Sequence, residues 1–411
     1  MTTLRDQFLL RPDITYLNFG SFGATPRPVF EAYQRWQLEL EREPVQHIAV
    51  RAPQLLREAR KALGAYVGAD ADDLVFTPNP SQAINIVARN LETQLQPGDE
   101  ILSTDLEYGA MDRTWNYYAR KNGWVYRRQH IPLPLSGPDE FLEAFWAGLT
   151  PRTKVMFIGE ITSATALVFP VEQICRKARQ LGLMIIVDGA HVPGHIPLNI
   201  TALDPDFYTG ACHKWMMAPK GCSFLYAKRS MQHLLDPLII SWGYESAAPS
   251  HSRFIDYHET QGTTDFSAYL ALPACIEFMQ QHHWPEVSRR CLELTLHNIP
   301  RFAALLRTVP LAPINSGMFG QMCSLPLNLV KPAVSSRIFA GSTAGGNVAE
   351  AELVEATAAA AAALKKRLYE EFKIEIPIMM HNGQAYMRYS IQAFNTQADL
   401  DRLYEVLEAI L

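Results

Sequence analysis

Leu183-Met184-Ile185-Ile186-Val187-Asp188-Gly189-Ala190-His191 opens with an almost unbroken apolar run of strand length and closes on a carboxylate, two small residues and an imidazole. A second such run, Val155-Met156-Phe157-Ile158, precedes it. Runs this short and continuous lack the alternation of a half-exposed strand. They mark strands covered on both faces, as in a largely parallel sheet with helices above and below. Around them helix and strand signals alternate from about residue 53 to 230. Helical periodicity through Leu55, Leu56, Ala59, Leu63 and Tyr66 leads to the strand Leu74-Val75-Phe76-Thr77, then to a helix through Ala83, Ile84, Val87 and Leu91. The pattern predicts further strands around Ile101-Leu102-Ser103 and Trp124-Val125-Tyr126, with helices near 110–121 and 138–147. This alternation is that of an α/β fold, in which ligands collect at the carboxyl ends of the strands.

The 411 residues are 48% hydrophobic and 19% charged, enough for a large core under a polar surface. That balance excludes a disordered or collagen-like chain. Thirty-seven basic and 42 acidic residues leave a net charge of -5, without a run of five or more like charges, so neither nucleic acid nor an anionic membrane is expected as partner. Met1 to Asp6 lead into no apolar run, so no signal peptide is expected. The six cysteines form no CxxC pair, which favours reduced thiols and a cytoplasmic protein. Residues 308–330 carry no charge, yet Pro310, Pro313, Gly317, Gly320 and Pro326 make them strands and turns of a buried region rather than a membrane span. From about 270 onward the pattern predicts a helix near 268–307, an alanine-rich helix near 348–371, and a closing strand and helix. Val334 to Asn347, rich in Ser, Gly and Ala, is expected to be a mobile loop.

Asp188 and His191 stand where a strand meets its ligand. Taken singly, Asp188 is equally compatible with capping a following helix. Asp188, His191 and His195 also admit a zinc site, as in a metal-dependent hydrolase, although Pro193 and Gly194 break the helix that would set two histidines on one face. Further on, Thr209-Gly210-Ala211-Cys212-His213-Lys214-Trp215 places a lysine among apolar and aromatic residues between two predicted strands. Desolvation there lowers an amine's pKa and makes it a nucleophile; on its own, Lys214 also reads as a surface lysine with a buried stem. Together, an acid that keeps a pyridine nitrogen protonated and a lysine that forms a Schiff base are what pyridoxal 5'-phosphate (PLP) asks of a protein. Thr77-Pro78-Asn79-Pro80-Ser81-Gln82 adds a helix amino terminus, capped by Asn79, with Pro80 and Ser81 in its first turn, suited to an anion.

On these motifs the chain resembles fold-type I PLP enzymes of the class V aminotransferase superfamily, and within it the isopenicillin N epimerase family. The resemblance runs through Leu17-Asn18-Phe19-Gly20-Ser21-Phe22-Gly23, Glu107-Tyr108-Gly109-Ala110-Met111, Asp188 to His191, His213-Lys214-Trp215, Gly262-Thr263 with Asp265, and Arg388 to Thr396. It implies a large domain with a mainly parallel central sheet flanked by helices (31–270) and a smaller α/β domain (271–411) with which residues 1–30 associate. It also implies that Lys214 bonds the cofactor, Asp188 pairs with its ring nitrogen, His191 lies near its phenolic oxygen and Tyr108 stacks on the ring. Asn79, Pro80, Ser81 and His213 would surround the phosphate, with Gly262 and Thr263 donated by the partner of a homodimer. Arg388 would grip the substrate α-carboxylate, with Asn18 and Ser21 lining the entrance.

Three positions depart from the family pattern. Pro80 lacks an N–H where a phosphate donor is usual, Ala211 replaces a polar residue, and Phe394 replaces a tyrosine. No cysteine lies between Cys323 and Arg388, where cysteine desulfurases carry their nucleophile, and Cys212 reads as a structural thiol. The activity expected is Cα deprotonation of an amino-acid-like small molecule, epimerisation first, with carbon-sulfur β-lyase and aminotransferase chemistry as alternatives.

Overall fold

A computed structural model describes residues 4–330 and 346–411. Twelve strands occur among these residues: β1 (Thr15–Tyr16), β2 (Leu74–Thr77), β3 (Glu100–Thr104), β4 (Val125–Gln129), β5 (Thr153–Gly159), β6 (Met184–Asp188), β7 (Phe207–Gly210), β8 (Ser223–Ala227), β9 (Met322–Leu327), β10 (Ile374–Glu375), β11 (Ile378–His381) and β12 (Gln384–Ser390). Seven form one sheet in the order β2-β8-β7-β6-β5-β3-β4. Its pairs are parallel except those made by β8, which runs against both β7 and β2.

The continuous apolar runs have the origin expected of them. Alternate residues of each strand enter two separate apolar clusters, one per face. Val75, Ile101, Val155, Phe157, Ile186 and Leu225 pack with the Pro80–Asn90 and Gly109–Asn122 helices. Leu102, Met156, Ile158, Ile185 and Val187 pack with the Ala52–Val67, Pro138–Trp146 and Val171–Gln180 helices. With helices on both faces, the carboxyl edge of the sheet remains as the place for chemistry.

A second sheet, β11-β12-β9, is antiparallel, and β1 pairs in parallel with β10. Leu17 N–H donates to Glu375 O and Ser390 N–H to Leu17 O, so the two ends of the chain are stitched together. The helix predicted near 268–307 is divided into Ser267–Leu270, Leu272–Gln281 and Trp284–Leu305. His283 takes a left-handed conformation, φ 49°, and Pro273 and Pro285 stand in first turns, where proline favours starting a helix anew. The single closing strand becomes three, β10 to β12, before the Gln397–Ile410 helix, which opens with a Thr396/Asp399 capping box. Val334 to Asn347 lies outside the described residues apart from its last two positions, which begin the Gly346–Glu370 helix. The uncharged stretch contributes β9, and no helix among the described residues is long and apolar enough to cross a membrane.

Candidate active site

At the carboxyl edge of the parallel strands lies a cavity of about 390 Å³. Ser21, Asn79, Pro80, Ser81, Tyr108, Asp188, His191, His213, Lys214 and Arg388 all line it. Three residues expected to bind cofactor or substrate do not. Asn18 sits one layer behind, donating to Glu375 Oε1 at 2.9 Å and accepting from Ser21 Oγ. Gly262 and Thr263 lie on an exposed segment lining a separate pocket with Pro78 and Gln82.

Asp188 is the last residue of β6. Its Oδ1 accepts from Ala190 N–H at 2.9 Å within a turn, not at a helix start, so it does not cap a helix. Burial raises its pKa, opposed by the Ala190 N–H and by Lys214. Lys214 follows β7 in the loop that returns as β8. Burial brings its amine down to about 8, against the attraction of Asp188, and Arg388 acts in the same direction as burial. Its Nζ lies 3.3 Å from His191 Nε2 and 6.0 Å from the centre of the Tyr108 ring. Tyr108, 50% exposed, is therefore no core tyrosine; it stands at the mouth of the cavity.

The opposite wall is Arg388, on β12. It is 2% exposed and has no carboxylate partner among the described residues, so it is not a surface ion pair. Nη1 donates to the Ser163 carbonyl and Nη2 to Ser21 Oγ at 3.1 Å, while Nε has no partner among the described residues. Burial lowers its pKa to about 10. A buried cation that lines a cavity and has no carboxylate beside it among the described residues is suited to an anion.

The helix terminus has few donors to offer. Asn79 Oδ1 accepts from Gln82 N–H at 2.9 Å, and Pro80 at the first helical position has no N–H. That leaves Ser81, through its N–H and hydroxyl. His213 Nδ1–H donates to Cys222 O at 2.9 Å, which turns Nε2 away from that bond as an acceptor. Its pKa falls to about 4 through burial and then Lys214, and a phosphate nearby would raise it again.

The metal reading does not fit these contacts. His195 Nδ1 donates to His191 O at 3.0 Å, and its Nε2 accepts from Gln321 N–H at 2.6 Å, so neither ring nitrogen is free for a ligand bond. No group of three potential ligand side chains occurs among the described residues. All six cysteines are buried, Cys212 among them.

Glu107 is a cavity residue with no role in the expectations, although it belongs to the Glu107-Tyr108-Gly109 motif. It lies three residues beyond β3, at the same carboxyl edge of the sheet where Asp188 ends β6, and that position was the available signal. Thr104 Oγ1 donates to its Oε1 at 2.8 Å and Gly159 N–H to its Oε2 at 2.9 Å. Burial, helped by the charge of Asp188, raises its pKa to about 8. Ser163 and Met379 also line the cavity without a sequence signal.

A family model described as Aminotransferase class-V matches residues 23–403. The chain belongs to the class V aminotransferase family. Isopenicillin N epimerase of Amycolatopsis lactamdurans is 32% identical over 99% of this chain and 97% of that protein. The L-cysteine desulfhydrase-like protein lolT1 of Epichloe uncinata is 27% identical over 98% of this chain and 94% of that protein. Among solved structures, the cystine C-S lyase C-DES in complex with its reaction product cysteine persulfide has a TM-score of 0.76 at 21% identity, covering 97% of this chain and 98% of that one. The fold is that of fold-type I PLP enzymes, and the chain is a PLP-dependent enzyme. The cavity fits the cofactor: a desolvated lysine amine, a buried carboxylate at the strand end and a helix amino terminus face one space.

Proposed function

We propose that this enzyme epimerises an amino-acid-like substrate at its α-carbon. The observation that carries the reading is that Lys214, Asp188 and the unpaired Arg388 face one cavity at the carboxyl edge of the sheet. Full-length similarity to an isopenicillin N epimerase supports it. When bound, PLP supplies the electron sink that makes the α-proton of an amine-bearing substrate acidic. Asp188 holds the proton of the cofactor ring nitrogen, and its buried position strengthens that charge pair. Ser81 and His213 hold the phosphate. Arg388, whose guanidinium lines the cavity without a carboxylate partner among the described residues, receives the α-carboxylate and fixes which α-substituent faces Lys214. With a pKa near 8, the Lys214 amine has an appreciable neutral fraction close to neutral pH and takes the α-proton as general base. The mouth beside half-exposed Tyr108 admits solvent, and return of a proton from the other side inverts the centre.

A carbon-sulfur β-lyase is the second reading, supported by the desulfhydrase-like relative. Persulfide chemistry on a protein cysteine is not part of it, because every thiol is buried. We further propose a homodimer in the cytoplasm, with Gly262 and Thr263 completing the partner's site. Exposed Ile239, Ile240 and Trp242, the last 87% exposed, adjoin that segment and support such an interface. The division into residues 31–270 and 271–411, with 1–30 joining the latter, is part of the same proposal.

The test is a panel of L-amino acids, cysteine conjugates and peptides incubated with the holoenzyme in D₂O. Inversion with deuterium at Cα supports epimerisation, and release of pyruvate and ammonia selects the lyase. Deuterium uptake with retention and no product counts against both.

A further inference from the structure

Behind the wall that carries His191 lies a chain of aromatic rings whose hydrogen bonds run in one direction. Gln321 N–H donates to His195 Nε2 at 2.6 Å, so the proton of the His195 ring is on Nδ1, which donates to the His191 carbonyl at 3.0 Å. Gln321 Nε2 also donates to the His195 carbonyl at 2.9 Å. Trp215 stacks on the His195 ring with centroids 4.0 Å apart, and its indole Nε1–H donates to His191 Nδ1 at 3.3 Å. Two glycines make room for this packing. A Cβ on Gly320 would come within 2.3 Å of His195 Nε2, and one on Gly194, whose φ is 84°, within 2.4 Å of the Trp215 carbonyl oxygen.

An indole nitrogen can only donate, so His191 Nδ1 must accept. The remaining ring proton then sits on Nε2, the nitrogen that faces Lys214 Nζ at 3.3 Å. We propose that Trp215 is a positioning residue that holds His191 in its Nε2–H tautomer, so that the ring is a fixed hydrogen-bond donor into the cofactor cavity. His195, held by Gln321, fixes the indole. Burial above all keeps His191 neutral, its Nε2–H is accepted by the Lys214 amine in that amine's neutral form, and a neutral ring is one whose tautomer decides whether it gives or receives. In the alternative tautomer an Nδ1–H would oppose the indole N–H inside the core and a lone pair would face the cavity.

The catalytic part of this proposal rests on the cavity being the PLP site; the tautomer does not. The experiment uses full-length enzyme with ¹⁵N-labelled histidine, and the His191 ring signals are those that vanish in His191→Gln. Their chemical shifts, read with and without PLP, are expected to be those of an Nε2–H ring, and in Trp215→Phe those of a tautomer mixture. Trp215→Phe is expected to lower kcat about tenfold with little change in KM, the size typical of losing a partner that orients a functional histidine. In a His191→Gln background, where an amide N–H is available whatever Trp215 does, the same change is expected to cost less than about twofold. An Nδ1–H ring in the wild-type protein overturns the proposal without any variant. So do unchanged shifts in Trp215→Phe, or an equal loss of kcat in both backgrounds, which marks Trp215 as packing alone. A preparation that takes up no PLP sinks the cofactor reading, while the shifts from that sample still decide the tautomer.

Discussion

Arg388 donates through Nη1 to the main-chain carbonyl of Ser163 at 2.5 Å, a bond that ties the three-stranded sheet to the loop after β5. Because a carbonyl and the Ser21 hydroxyl hold the guanidinium, its charge stays uncompensated and its geometry is set before any substrate arrives. Arg388→Lys keeps the charge but loses the planar fork. Its KM is expected to rise about tenfold or more, with a smaller change in kcat, in steady-state assays on the substrate found by the panel. An unchanged KM would remove Arg388 from the substrate site.

Lys214→Ala is expected to lower kcat about a hundredfold to ten-thousandfold and to abolish the borohydride-sensitive colour of the holoenzyme. A variant that stays yellow and loses its colour to borohydride would show that another amine bonds the cofactor. Asp188→Asn is expected to bind PLP yet turn over slowly, since an amide does not compensate a ring cation.

The helix start at Asn79 to Ser81 yields opposite expectations at adjacent residues. Ser81→Ala removes a hydroxyl from the cavity and is expected to raise the PLP Kd about fivefold or more. Pro80→Ala restores an N–H at the first helical position and is expected to lower that Kd about fivefold, by roughly one hydrogen bond. Titration of apoenzyme with PLP, followed by absorbance, measures both. A Kd in Pro80→Ala no tighter than wild type would mean that this position does not face the phosphate.

Glu107 gives a pH-dependent stability. Folded, it keeps its proton up to about pH 8; unfolded, it loses the proton above about pH 4.5. Its contribution is thus complete below about 4.5 and is lost as pH rises through about 8. Glu160, bonded to the Tyr208 hydroxyl at 2.8 Å and raised to about 7, acts in the same sense. Melting of PLP-free protein at pH 5 and pH 8 is expected to show a smaller fall with pH in Glu107→Gln than in wild type, by about a few degrees. Parallel curves for the two proteins would contradict the assignment.

What could be read without coordinates was whatever a strand announces. The apolar runs ending at Asp188 and flanking Lys214 revealed both the sheet and its chemical edge, since burial on two faces leaves a compositional trace. Asn79 was legible because capping is local. Ser163 was not, because it engages Arg388 mainly through its carbonyl, which every residue possesses. Glu107 depends on the β5 backbone at Gly159 closing over it, a contact between distant parts of the chain. The break at His283 rests on a left-handed conformation that no residue type but glycine signals reliably.

The bond from Arg388 to Ser21 spans 367 positions. On a ribosome adding about 5–20 residues per second, the amino-terminal wall of the cavity waits roughly 20–70 s for its counterpart. During that interval β1 has no β10 to pair with, and Leu17 and Phe19, both fully buried at the end, have no finished cover. The nascent enzyme can complete its large sheet early, but the wall of its cavity that Arg388 supplies closes only as the last strand emerges, so truncated chains are left with that cavity unfinished.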